Sequence, residues 1–184
     1  MDKIDLILRN NFSHAEKLFS EAKYHDAIKK YKEILADHPK FVGVINNIGL
    51  AYECLNEFEK SLKFYKKCSV IHPEEKLFIN NLANIFYKMK DYKNAIKETD
   101  KSLLIEDFQI KVIEIKASCL IRLNLRNDAD LFFKKYLKKF SNNRFLNTQH
   151  GENLINLNKH KLGLQFLKIG TGFVEFKDNK ITLI

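Results

Sequence analysis

The chain repeats itself every 34 residues, and nothing else in it narrows the possible folds so far. His38–Pro39 recurs at His72–Pro73, and the same step carries Asn46–Asn47 onto Asn80–Asn81. Two columns stay small: Ala15, Gly49, Ala83, Ala117 and Gly151 in one, Ala27, Ser61, Ala95, Ala129 and Gly163 in the other. A third column, Leu18, Tyr52, Phe86, Leu120 and Leu154, is large and apolar throughout. A fourth, Tyr31, Tyr65, Thr99, Phe133 and Leu167, is large except at Thr99. Five ungapped copies run from about residue 8 to about residue 177.

Each copy has the periodicity of two antiparallel helices. In "VINNIGLAYECL" (Val44–Leu55) apolar residues fall at three- and four-residue steps, as on an amphipathic helix. A break at Asn56–Glu57 leads into a second helix, Glu59–Ile71, which ends before Pro73 because proline cannot continue it. Small columns fall where two helices cross closely, and large ones fill the space between pairs. A lone pair cannot bury its apolar face, so the pairs must stack. With only 6 Gly and 2 Pro in 184 residues, a turn-rich all-β fold is excluded and an all-α fold is expected.

The stretches "NNIGLAYECLNEFEKSLKFYKKCSVIHP" (Asn46–Pro73), "NNLANIFYKMKDYKNAIKETDKSLLIED" (Asn80–Asp107) and "HAEKLFSEAKYHDAIKKYKEILADHP" (His14–Pro39) resemble the tetratricopeptide repeat family. The resemblance implies a right-handed α–α superhelix of about five helix pairs over residues 1–172. Its repeats would lie at about 8–41, 42–75, 76–109, 110–143 and 144–172, followed by a β-prone tail at 173–184. Arg126 and His160 replace the aromatic found at Tyr24, Phe58 and Tyr92, and the later copies lack the proline, as atypical terminal repeats do.

The resemblance further implies a concave groove, lined by the first helix of each pair, that holds an extended peptide or a partner helix. The residues that map onto it include Asn46, Asn47, Asn80, Asn81, Asn84, Lys111, Arg122 and Gln149. An amide offers donors and acceptors together, which suits a peptide backbone of any sequence. Asn47 and Asn81 would be rungs of an asparagine ladder, with Gln149 a third and Ser13 and Ile115 as gaps. Alternatively, Asn47 and Asn81 bond the adjacent helix backbone. The carboxylate clamp of the family's co-chaperones maps onto Phe12, Glu16, Asn47, Leu77 and Asn81, with no cation, so that clamp is not expected. Lys111 and Arg122 would draw in acidic side chains.

The net charge of +9 is uneven, about +1 over residues 1–109 and +8 over 110–184. Lys134, Lys135, Lys138 and Lys139 sit opposite the packed stripe of Phe132, Phe133, Tyr136 and Phe140, and so face outward from the array. A solvated face is the simplest reading, with an acidic partner or nucleic acid as the alternatives. The nearby aromatics belong to the core and offer no base-stacking platform. No GxSxG, HExxH or phosphate-loop pattern occurs, so no catalytic residue is expected. "HPE" (His72–Glu74) has His-x-acid spacing but neither a sheet to aim it nor a distant second histidine, so no metal or other cofactor is expected. Cys54, Cys68 and Cys119 read as reduced, buried helix residues of a cytoplasmic protein, and no stretch is long and apolar enough to span a bilayer.

At the C-terminus, Gly163 and Gly170 fall on the last helix, with Thr171 and Gly172 as its stop. "FVEFKDNKITLI" reads as a hairpin or extended tail about Asp178–Asn179. Its Phe173, Phe176, Ile181 and Leu183 either cover the last repeat or pair with another chain, which leaves self-association open. The segment Gly163–Phe176 also resembles, over about fifteen residues, helper modules associated with 2-oxoglutarate/iron oxygenases. The expected function is a non-enzymatic adaptor for a protein segment. An accessory subunit that presents substrate to such an oxygenase, or a basic nucleic-acid-binding repeat, is the alternative.

Overall fold

The structure, a computed structural model, describes residues 3–172, 174–177 and 180–183, with the backbone alone at 3–6 and in the last two segments. Ten helices stand among the described residues: α1 (Lys3–Ser20), α2 (Tyr24–Asp37), α3 (Val42–Cys54), α4 (Phe58–Ile71), α5 (Lys76–Lys88), α6 (Tyr92–Ile105), α7 (Ile110–Arg122), α8 (Arg126–Leu137), α9 (Arg144–Asn156) and α10 (His160–Thr171). The second helix of every pair begins 34 residues after its predecessor, from Tyr24 to His160, and the first helices from α3 onward keep the same step. The sequence period is therefore the structural period.

The turns inside the pairs explain the spacing. Ala22, Asn56, Lys90, Asn124 and Asn158, again 34 apart, all have φ between 57° and 62°. The chain reverses through one left-handed residue, which asparagine tolerates better than other side chains. Between pairs, His38 and His72 close α2 and α4 by donating backbone N–H groups to Ile34 and Cys68, and the prolines that follow prevent further helix.

The chain divides into two compact units, Met1–Lys90 and Asp91–Ile184. In the first, α1 to α5 bury Ala15, Ala27, Tyr31, Val44, Ile48 and Tyr52 in one cluster and Tyr65, Leu82 and Ile85 in another. A methyl group on Gly49 would lie 2.7 Å from the Tyr65 ring, so this member of the small column cannot grow. In the second unit, α6 to α10 pack around Val112, Ile113, Ala117, Ala129, Phe133, Tyr136 and Leu146. Thr99, the polar member of its column, donates its hydroxyl to the Ile96 carbonyl at 2.8 Å and so is buried without an unmet donor.

Glycines join α9 to α10. A Cβ on Gly151 would meet the Gly163 carbonyl at 2.7 Å, and one on Gly163 would meet the Gly151 carbonyl at the same distance. Gly170 is buried against Thr148, and Gly172 caps α10 in the left-handed conformation with φ 74°. Arg144 secures this end by donating to the carbonyls of Gly170 and Thr171, each at 3.1 Å. Beyond it, β1 (Val174–Lys177) and β2 (Lys180–Leu183) form an antiparallel hairpin with Val174 opposite Leu183 and Phe176 opposite Ile181. The side chains assigned a capping role, Phe173, Phe176, Ile181 and Leu183, lie outside the described residues.

One expectation is corrected. Cys54 is exposed rather than buried, because it ends α3 beyond the packed stripe. Cys68 and Cys119 are buried as expected, and burial pushes their thiols up to about 11 and about 12. Among the described residues no helix is long and apolar enough to cross a membrane, and no group of three or more metal-binding side chains is arranged around a metal position.

Candidate functional site

In the first unit Asn46, Asn47 and Asn81 are joined by side-chain hydrogen bonds. Asn81 Nδ2 on α5 donates to Asn46 Oδ1 on α3 at 2.7 Å, and Asn46 Nδ2 reaches Asn47 Oδ1 at 3.5 Å. Asn47 Nδ2 in turn donates to the Tyr31 hydroxyl on α2 at 3.3 Å. The rungs therefore bond to side chains of neighbouring helices, not to their backbones. Asn46, Asn47, Asn80, Asn81 and Asn84 are all half-buried. Each bonded amide nitrogen in the row keeps a second hydrogen, and Asn81 keeps its carbonyl, so the row is held in place with hydrogen-bonding capacity to spare.

A buried carboxylate organises a second network on the same two helices. Glu53, 8% exposed, accepts from the Tyr65 hydroxyl at 2.7 Å and from Asn84 Nδ2 at 2.7 Å, and pairs with Lys88 at 2.8 Å. Burial, followed by the Glu53 charge, raises the Tyr65 phenol far above its usual range, so it remains a donor at any ordinary pH. The 34-residue column of Glu53 is otherwise Phe19, Tyr87, Ile121 and Ile155. An acid in an aromatic and aliphatic column was the available sign of this hub, and inspection of inward positions alone missed its role. Exposed Leu50 and Leu77 lie on the same two helices, α3 and α5.

The second unit carries the remaining residues differently. Lys111 is exposed and pairs with Glu114 one turn on at 3.4 Å, and Gln149 donates to Glu152 at 3.2 Å within its own helix. Arg122 is exposed at the end of α7. The amide row has no counterpart among these three residues, whose polar groups turn to partners on their own helices or to solvent. Of the outward lysines, Lys134 and Lys135 on α8 pair with Asp130 and Asp107, and Lys139, just past the helix end, lies 3.6 Å from the Phe108 ring centroid. Part of the basic excess is therefore spent inside the unit, and less is left for a polyanion.

A second polar cluster was not anticipated. Asp130, 5% exposed, accepts from His150 Nε2 at 2.9 Å and from Lys134 and Lys159 at 2.9 and 3.0 Å. His150, 1% exposed, lies between the rings of Phe133 and Phe166 at 5.2 and 4.4 Å. Burial alone would raise the Asp130 carboxyl, but the bonds from His150, Lys134 and Lys159 hold it well below the carboxylate range. Burial lowers His150 despite the favourable Asp130 charge, so the imidazole is neutral at neutral pH. This is a carboxylate–histidine pair sealed from solvent, a structural lock between α8 and α9 without access for a substrate. Its sequence sign was again an acid in an apolar column, Ile28, Leu62, Ile96, Asp130 and Leu164.

Each unit is built of antiparallel helices packed pair against pair. Residues 42–69 match the model of the tetratricopeptide repeat. A MamA structure ("MamA MSR-1 C2") aligns over 93% of this chain and 97% of its own, at 16% identity and TM-score 0.75. Another ("MamA RS-1 ArsTM double mutant") aligns over 94% and 95%, at 11% identity and TM-score 0.84. A tetratricopeptide repeat protein from Parabacteroides merdae aligns over 94% of this chain and 67% of its own, at 16% identity and TM-score 0.74. No curated protein matches the sequence. The chain thus shares its fold with these solved structures along nearly its whole length and carries one matched tetratricopeptide repeat, in its second helix pair. Such folds serve in general as protein-interaction scaffolds.

Proposed function

We propose that this protein is a non-catalytic adaptor that holds an extended segment of a partner polypeptide across the first-helix face of its first unit. The observation that carries the reading is the bonded row Asn47–Asn46–Asn81, which Tyr31 holds at one end, beside the separate Asn84–Glu53–Tyr65 network on the same helices. A peptide lying across α3 and α5 meets amide groups that are already oriented, so little side-chain entropy is lost on binding. Leu50 and Leu77 supply exposed apolar contact for its side chains. Recognition is then mainly of backbone, with Lys111 and Arg122 as secondary attractions for acidic flanks. The C-terminal hairpin covers the last repeat in this account.

Selection of displayed random peptides on the full-length protein tests the proposal. The selected peptides should lose most of their affinity for the Asn47→Ala, Asn81→Ala double variant, while far-ultraviolet circular dichroism stays unchanged. Equal binding to both proteins would remove the amide row from the account.

A further inference from the structure

On the first unit's second-helix side, α2, the end of α3 and the start of α4 enclose an open cavity of about 610 Å³, within the range of small-ligand sites. Its walls include Ile28 and Tyr52, both buried, and Ala36. Tyr52 is the one hydroxyl in its column of Leu18, Phe86, Leu120 and Leu154. That hydroxyl accepts from Lys32 Nζ at 3.2 Å, which leaves its own hydrogen for an acceptor.

Two ammonium groups share the Tyr52 ring, Lys32 at 5.8 Å and Lys60 at 5.4 Å from its centroid. Lys29 and His25 line the same wall of α2, one turn and two turns before Lys32. Lys60 stands in the first turn of a fourteen-residue helix, where the helix dipole also favours an anion. Two carboxylates line the cavity as well, and both already have cations: Glu33 pairs with Lys30 and Glu57 with Lys60. Lys29 stands one turn before Glu33, whose carboxyl Lys30 and, more weakly, Lys29 hold below its ordinary value, while Lys32 bonds to a neutral phenol. The lining lysines, Lys29, Lys32 and Lys60, outnumber the carboxylates Glu33 and Glu57, which leaves the wall net positive beside a phenolic donor.

We propose that this cavity binds a phosphoryl group, held by Lys32, Lys60 and the Tyr52 hydroxyl, with Lys29 adding charge. Ammonium groups and a phenolic hydrogen around one cavity suit the three oxygens and the higher charge of a phosphate monoester better than a carboxylate. The group arrives either on a free phosphate or on a phosphorylated side chain of a polypeptide, and the site is independent of the amide row.

The test titrates the full chain with inorganic phosphate, with a phosphoserine peptide and with its unphosphorylated form, following the Tyr52 ring and the lysine ε-methylene signals by NMR. Saturable shifts with phosphate and phosphopeptide alike place the specificity in the phosphoryl group itself. Shifts with the phosphopeptide alone assign the ligand to a modified polypeptide. Affinity should fall about tenfold or more in Lys32→Gln and in Lys60→Gln, and about threefold to tenfold in Tyr52→Phe. All three variants should retain the parent circular dichroism, since both lysines are exposed and the phenylalanine keeps the ring. Absence of saturable shifts with either phosphorylated probe overturns the proposal, as does equal binding of the unphosphorylated peptide or affinity unchanged in Lys32→Gln and Lys60→Gln.

Discussion

Replacing Gly163 by alanine should weaken the second unit, although alanine is the better helix former. The gain in helix propensity is about 1 kcal/mol. Against it, the new methyl group would lie 2.7 Å from the Gly151 carbonyl oxygen, 2.8 Å from Ile155 Cγ1 and 3.1 Å from the Ile155 amide nitrogen. Two of those three atoms are backbone, so α9 and α10 must separate by about 0.7 Å to restore ordinary contact. Overpacking of this kind costs about 1–3 kcal/mol, and with rigid backbone on the receiving side the upper part of that range applies. The net loss is then about 1–2 kcal/mol, a fall of roughly 5–15 °C in the melting of a unit this size. Gly43→Ala is the control: its methyl group meets only the Phe41 ring, at 3.4 and 3.8 Å, so the propensity gain should survive as a stabilisation of up to about 1 kcal/mol. Thermal and urea unfolding followed at 222 nm measures both. A Gly163→Ala protein as stable as the parent would refute the close crossing of α9 and α10.

Acidification should weaken the second unit in two stages. His150 is held below its ordinary 6.5, so the unfolded chain binds its proton first and stability is lost as pH falls below about 6.5. Asp130 is held below its ordinary 3.8, and its contribution, whole above that value, drains away as pH falls further. Unfolding midpoints at pH 7, 5 and 2.5 should therefore decline, and Asp130→Asn should flatten the limb below pH 3.8. Lys90→Asn should stabilise the first unit by about 0.5–1 kcal/mol in urea, because Lys90 occupies the left-handed turn position that asparagine fills at Asn56, Asn124 and Asn158. Glu53→Ala should cost about 2–4 kcal/mol by leaving the buried Tyr65 hydroxyl and Asn84 without their acceptor, while Glu53→Gln, which keeps an acceptor for Tyr65, should cost about 1 kcal/mol. Chemical unfolding of the two variants in parallel checks that ordering.

Much of the fold was legible because a repeat states its packing several times over. The small columns at Ala15 and Ala27 recur as buried positions in later pairs, and Gly163 and Gly172 have the crossing and capping roles that their columns imply. The helix starts at Phe58 and Val42 were displaced by a residue or two, since turns and caps lie outside the apolar period. The amide row was legible in composition but not in bonding. Asn46, which lies between the two proposed rungs, links them, a pairing set by how α3 faces α5 rather than by any spacing along the chain. Gln149 resembles a rung by position alone, because Glu152 one turn away captures its amide. The hubs at Glu53 and Asp130 were hidden for another reason: a periodicity search rewards residues that agree with their column, and these two act by departing from it.

The most direct test of the central claim is an NMR map of a selected peptide bound to the full-length protein. Shifts concentrated in the side-chain amides of Asn46, Asn47, Asn81 and Asn84, with intermolecular contacts to Leu50 and Leu77, are the predicted result. Shifts that leave those amides unmoved and fall instead on the outward lysines of α8 would contradict it.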